Sequence, residues 1–205
     1  MRNYCVLVGL LLLMAASVVA QDYATVETSP AFMFIRTPIA NQSVNCAGAG
    51  GTLAYNVSKM LGIAADMGGC KFFGNTFGAG NQLSGSQFTF LFGPRITFRG
   101  NSPFQPFFDV NLGGDRLSAN CQSGAVNCIA KFGSGTYSRT AFALTAGGGI
   151  DVKLSKKFAL RLIQAEYLYT RFGNECGQAV CTQNNSQNSF RLKSGIVIGW
   201  GEGSK

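Results

Sequence analysis

The chain has 205 residues, with 17 Lys and Arg against 9 Asp and Glu, no His, and a formal net charge of +8. Its 27 Gly and 17 Phe, with so few charges, favour strands and turns over helices. The length suits one domain, and only one apolar run, at the N-terminus, is of any length, which excludes a multi-helix membrane protein.

Residues 1–20 read as a signal peptide. Arg2 supplies a positive start, Val6 to Ala20 is apolar, and Val18-Val19-Ala20 before Gln21-Asp22 makes a cleavage site. The run is short for a membrane-spanning helix. Cys5 lies at the wrong end of it to become a lipid-modified first residue. The mature domain is then 21–205. Without Arg2 it holds 16 basic and 9 acidic residues, a net charge of +7. In an exported chain with dispersed charges, nucleic acid is not an expected partner.

Eight strands are predicted in order: Pro30–Arg36, Gly50–Ser58, Met60–Cys70, Gln87–Arg99, Gln105–Gly114, Thr140–Leu154, Phe158–Arg171 and Phe190–Trp200. The connections alternate in length. Thr37–Ala49, Phe72–Ser86, Asp115–Arg139 and Phe172–Ser189 are long and polar. Those at Ser58-Lys59, Gly100–Pro103 and Ser155–Lys157 are minimal. A soluble sandwich has no reason to sort loops by parity. An up-and-down barrel across an outer membrane does, with short periplasmic turns and long outer loops. Asn41, Asn81, Gly124 and Asn184 are therefore expected outside the cell, and Lys59, Ser102 and Lys156 in the periplasm. About ten residues per strand, at roughly 3.3 Å each and a tilt near 40°, rise about 25 Å, the height of the apolar band such barrels need.

The faces repeat by two. Phe88, Phe90, Phe92, Ile96 and Phe98 oppose Thr89, Gly93, Arg95, Thr97 and Arg99. Phe108, Val110 and Leu112 oppose Asp109, Asn111 and Gly113. Leu61, Ile63, Ala65 and Met67 oppose Gly62, Ala64, Asp66 and Gly68. In the last strand Phe190, Leu192, Ile196, Ile198 and Trp200 oppose Arg191, Lys193, Gly195, Val197 and Gly199. The first strand has no clean alternation. In the seventh, Gln164 and Glu166 share one parity and Arg161 the other, which a bulge near Arg161 reconciles. The predicted interior charges are Asp66, Arg95, Arg99, Asp109, Asp151, Lys153, Glu166, Arg191 and Lys193. Eight strands enclose a space that side chains fill, so these charges are expected to pair into a plug.

Six cysteines follow Cys5. In an exported chain they read as disulfides Cys46 with Cys70, Cys121 with Cys128, and Cys176 with Cys181, clustered at the outer rim. Cys46 and Cys70 each lie twelve residues from Ser58, at equal height on neighbouring strands. The other pairs each sit within one loop. No metal site is expected, because there is no His and no tight CxxC.

This pattern resembles the small eight-stranded outer-membrane barrels, the OmpA transmembrane domain and OmpX group, over essentially the whole mature sequence. The last strand resembles their C-terminal assembly signal, at Lys193, Gly195, Ile198 and Trp200, although Gly201–Lys205 continue past the aromatic. The resemblance implies an all-β, eight-stranded antiparallel up-and-down transmembrane barrel, in the outer membrane of a Gram-negative-type bacterium. The implied partners are outer-membrane lipid and lipopolysaccharide, and the barrel-assembly machinery. The protein is expected to be a monomer without a cofactor. No periplasmic cell-wall-binding domain is expected after Lys205.

Catalysis has little support. Gly147–Gly149 and Gly48–Gly51 lack the helix and the Lys-Ser/Thr ending of a phosphate loop. Asp109 with Asp151 or Glu166 is a carboxylate pair, but interior Arg and Lys are its natural partners. The expected role is structural or surface-interactive. Two alternatives stand at this point: a soluble lipocalin-like barrel binding a small apolar ligand, and a narrow ion-conducting pore of the same fold.

Overall fold

The period-two pattern closes on itself. The computed structural model describes residues 23–39, 42–73, 83–121, 136–172, 175–176, 181–182 and 185–201. Eight strands form one closed barrel: β1 Val26–Ile39, β2 Gln42–Asn56, β3 Leu61–Phe73, β4 Leu83–Thr97, β5 Phe104–Cys121, β6 Thr136–Lys153, β7 Phe158–Phe172 and β8 Asn185–Trp200. Each pairs antiparallel with its sequence neighbours. β8 closes on β1 from Val26 opposite Trp200 to Arg36 opposite Phe190. Between β7 and β8, Glu175–Cys176 pairs with Cys181–Thr182, placing Cys176 opposite Cys181 in the backbone register. Cys128 lies outside the described residues, as do Asn41, Asn81, Gly124 and Asn184.

The strands run further than expected at the long-loop end. β1 and β2 pair continuously to Ile39 opposite Gln42, so Thr37–Ala49 is almost all ladder and not a long loop. β5 and β6 stay paired to Asn120 opposite Thr136, inside the predicted Asp115–Arg139 loop. Above the apolar band both faces of a strand meet polar surroundings, so hydrophobic alternation ceases while hydrogen bonding continues. The opposite end is tight. Ser58 Oγ accepts the backbone N–H groups of Met60 and Leu61, and Ser155 Oγ those of Lys157 and Phe158. A serine that caps its own turn needs few residues to reverse the chain.

The two faces divide by solvent. Phe32, Phe92, Met67, Ile63 and Tyr167 point outward and are more than half exposed, while Asp66, Arg95, Asp109, Glu166 and Arg191 are almost wholly buried. This is the reverse of what a lipocalin-like barrel requires, and it removes that alternative. An apolar belt of this extent has no place on a soluble monomer and suits lipid. β1 alternates after all: Ser29, Met33, Ile35 and Thr37 face inward, and Phe32 and Arg36 outward. The pattern was hidden because apolar residues occupy both faces.

Leu162 and Ile163 form the bulge in β7. Ile150 pairs with Ile163 and Asp151 with Arg161, while Lys193 pairs with Gln164 and Gly195 with Arg161. Both bulge residues face out, so Arg161 and Gln164 both face in.

Cys46 and Cys70 are bridged, with Cα atoms 5.5 Å apart. Their geometry corrects the expectation in two respects. The ladder sets Cys46 opposite Phe72 and Cys70 opposite Gly48, so the bridge is diagonal and not level. It also faces the interior, packed with Met33, Ile35, Leu91, Ala143 and Leu168, and is not a rim staple.

Because one of the two bulge residues is surplus to the alternation, deleting Ile163 should leave every other side chain on its face. Deleting Ala165 should turn a row of them over. The Ile163 deletion is expected to retain the fast-migrating folded form on unheated gels, and the Ala165 deletion to lose it. Matching behaviour of the two deletions would disprove the bulge. A second expectation concerns the bridge. Cys46→Ala with Cys70→Ala should lower stability by about 2–4 kcal/mol in urea titrations, with the barrel still folding.

Candidate functional site

Among the described residues, buried charged side chains converge in the interior. The inward parity of six strands, β3 to β8, aims them at a common axis, and pairing offsets the cost of burying them. Arg161 forks onto Asp151, with Nε to Oδ1 at 2.8 Å and Nη2 to Oδ2 at 2.9 Å. Arg191 forks onto Glu166 at 2.8 and 3.1 Å, and its Nη2 also lies 2.9 Å from Asp66 Oδ1. Lys193 Nζ bonds Asp66 Oδ2 and lies 3.3 Å from Glu166 Oε2. Arg95 Nη2 donates to Asp109 at 2.6 Å. Such planar, two-pronged pairs are the strong ones.

Gln164 joins these pairs into one network. Its Oε1 accepts from Arg161 at 2.9 Å, and its Nε2 donates to Glu166 at 3.1 Å and to Asp109 at 3.4 Å. Neutral groups complete the shell: Thr52 donates to Asp66 at 2.8 Å and Thr89 Oγ1 accepts from Arg191 at 3.1 Å. Phe107 lies between two guanidiniums, with Arg95 at 4.6 Å and Arg161 at 4.4 Å from its ring centroid. Cation–π attraction suits this dry setting. Gly149 makes the room, since a Cβ there would stand 2.8 Å from the Phe107 ring.

Above the charges, towards the long loops, apolar side chains pack among buried polar ones such as Gln87, Asp115 and Thr170. The layer around the Cys46–Cys70 bridge comes first, and Leu117, Ala141 and Phe172 form a second cluster. Below, Arg99 bonds Glu27 at 2.6 Å and the Lys59 carbonyl at 2.7 Å. Ala24 and Thr25 are tied to Asn56, extending the β1–β2 ladder at its lower end.

Seven predicted charges thus meet in the interior: Asp66, Arg95, Asp109, Asp151, Glu166, Arg191 and Lys193. Arg99 and Lys153 sit lower, lining a small cavity of about 40 Å³ with Lys156 and Lys157. Sequence reasoning left out Arg161, Gln164, Phe107, Glu27 and Asp115. Asp115 is buried, accepting from Gln87 at 2.6 Å and Thr170 at 3.1 Å. Its parity with Asp109 was a usable signal, masked by its place in a predicted loop. Of the signal-like residues, Lys193 joins the network, Gly195 abuts the Pro30 carbonyl, and Trp200 faces out with Nε1 3.3 Å from Thr28 Oγ1. No group of metal-ligating side chains occurs among the described residues.

Arg191→Ala strips one cation from two buried carboxylates and should cost about 3–5 kcal/mol. Gln164→Leu, which leaves several partners unmatched, should cost about 1–3 kcal/mol, and Lys59→Ala on an exposed turn roughly nothing. Urea unfolding in lipid vesicles gives the three midpoints. Equal midpoints would disprove the network's role.

The model of the outer membrane protein beta-barrel domain family matches residues 7–195. Solved structures share the fold at low identity. Neisserial surface protein A superposes with a TM-score of 0.62 at 13% identity, covering 86% of this chain and 98% of that one. Ail, the attachment invasion locus protein of Yersinia pestis, gives 0.53 at 14%, covering 85% and 99%. OprG from Pseudomonas aeruginosa gives 0.53 at 14%, covering 87% and 97%. No curated protein matches in sequence.

Proposed function

The chain belongs to the outer membrane protein β-barrel domain family, and from that premise we propose that it is a sealed, monomeric surface barrel whose outer strand ends and loops are its working part. It is not an enzyme in this reading. Residues 1–20 direct export, and the barrel sits in a Gram-negative-type outer membrane with the long connections outside. Lys193, Gly195, Ile198 and Trp200 serve as the segment read by the assembly machinery, and lipopolysaccharide is the lipid neighbour.

The observation that carries this reading is the Gln164-centred network. Its ion pairs draw on six of the eight strands, β3 to β8, with the bridge-centred cluster stacked above them. An ion crossing that lumen would have to separate several forked pairs and then pass closely packed apolar side chains and the hydrogen-bonded Gln87, Asp115 and Thr170. Each step costs several kcal/mol. The fold neighbours lend support, since one is a Neisserial surface protein and another an attachment invasion locus protein. Surface roles are therefore compatible with this architecture.

Purified barrel in a planar bilayer is expected to give no single-channel steps. Regular openings that vanish on heat denaturation would replace this reading with the pore. In whole cells, a tag at Gly124 should label with an impermeant reagent and one at Lys156 should not. Labelling at Lys156 would invert the topology.

A further inference from the structure

Every carboxylate in the described barrel strands faces the interior or the lower rim: Glu27, Asp66, Asp109, Asp115, Asp151 and Glu166. The outward face carries cations at one level. Arg36, Lys71, Arg116 and Arg171 are exposed, and they stand on β1, β3, β5 and β7, one on every second strand. Each lies ten to thirteen residues above the lower end of its strand, the largest count including the surplus residue of the β7 bulge. At roughly 3.3 Å per residue and a tilt near 40°, that is about 25–30 Å up, the top of an apolar band.

Their neighbours set the depth. Arg36 is registered opposite Phe190, Arg116 opposite Phe88, and Arg171 opposite Phe142. All three phenylalanines face out and are about half exposed. Each guanidinium therefore leaves the wall level with a lipid-facing ring and reaches upward to polar surroundings, as long basic side chains do at membrane boundaries. Two of them touch hydroxyls, Arg36 to Ser43 and Arg116 to Ser138, each at 3.3 Å.

We infer that Arg36, Lys71, Arg116 and Arg171 form a ring that binds the phosphate groups of outer-leaflet lipid. The inference rests on the outward orientation of the long connections proposed above. A soluble polyanion is a poorer fit. The ring lies on the barrel wall at the boundary of the apolar belt and not at the loop tips, so a phosphate there must arrive with acyl chains beside the phenylalanines. Guanidinium forks suit phosphate oxygens, and four spaced cations suit several lipids around the wall, each held by local attraction that salt screens.

The test uses the folded full chain in detergent micelles, with bound lipid counted by native mass spectrometry. The probes are bis-phosphorylated lipid A and the same lipid dephosphorylated. Unmodified protein should prefer the phosphorylated form by at least about tenfold. R36Q/K71Q/R116Q/R171Q should lose that preference. K59Q/K156Q/K157Q, which removes three cations from the other end, should keep it. If the fourfold variant does not fold, R36Q/R171Q and K71Q/R116Q should each lose part of the preference. A preference that survives these changes, or falls equally in the control, overturns the ring. So does inositol hexakisphosphate bound as tightly as the lipid. Conductance and surface labelling of the unmodified chain test the sealed-barrel reading separately, so the two can fail independently.

Discussion

An eight-stranded closed sheet leaves no edge and almost no lumen, and that geometric constraint governs the rest of the molecule. Every inward side chain must fit beside those of the other strands, and a polar atom left without a partner there is costly. Charge inside such a space is costly unless it is paired or, as at Asp115, held by neutral hydrogen-bond donors. Arg161 with Asp151, Arg191 with Glu166 and Asp66, and Arg95 with Asp109 are the outcome. The bulge at Leu162 and Ile163 belongs to the same constraint. Without a surplus residue, Arg161 and Gln164 could not both face inward, and the network would lose either its fork to Asp151 or its central amide.

The outer wall obeys a different solvent. Lipid supplies no hydrogen bonds, so the ladder must be complete across the apolar belt, and side chains there can be anything hydrophobic. This explains why Phe, Leu, Ile and Met share outward positions without pattern. It also explains why the strands continue past the belt. Once water replaces lipid, pairing is no longer compulsory, yet nothing ends it where the turn chemistry is absent. β5 and β6 run on through Asp115–Asn120 and Thr136–Ala141 in ordinary antiparallel register.

What could be read from the sequence follows from these two solvents. β3, β4 and β8 were legible because lipid on one side and a charged lumen on the other force strict alternation. β1 was not, because Met33 and Ile35 enter an apolar layer of the interior while Phe32 faces lipid. The Cys46–Cys70 pair was legible from spacing, but its height assumed a symmetric hairpin about Ser58. The real hairpin turns through Val57–Met60, which moves the pair onto a diagonal. Gln164 was invisible as a hub because a lone glutamine carries no signal until its neighbours are known. Loop ends were misread for a similar reason: hydrophobicity marks where lipid stops, not where strands stop.

The stacking of the interior links these features. The ionic layer lies against the bridge-centred apolar layer, and the barrel wall separates both from lipid. Few high-dielectric neighbours remain to weaken the ion pairs, so each fork is stronger than it would be at a surface. The same dryness makes any unmatched charge expensive, which is why neutral donors such as Thr52 and Gln164 fill the gaps between pairs. The disulfide joins β2 to β3 in that layer, where Gly48, Gly50 and Gly68 leave few side chains to interlock. A covalent tie there substitutes for packing that glycines cannot provide. The interior is thus held by charge in one layer and by apolar contact with a covalent bridge in the next.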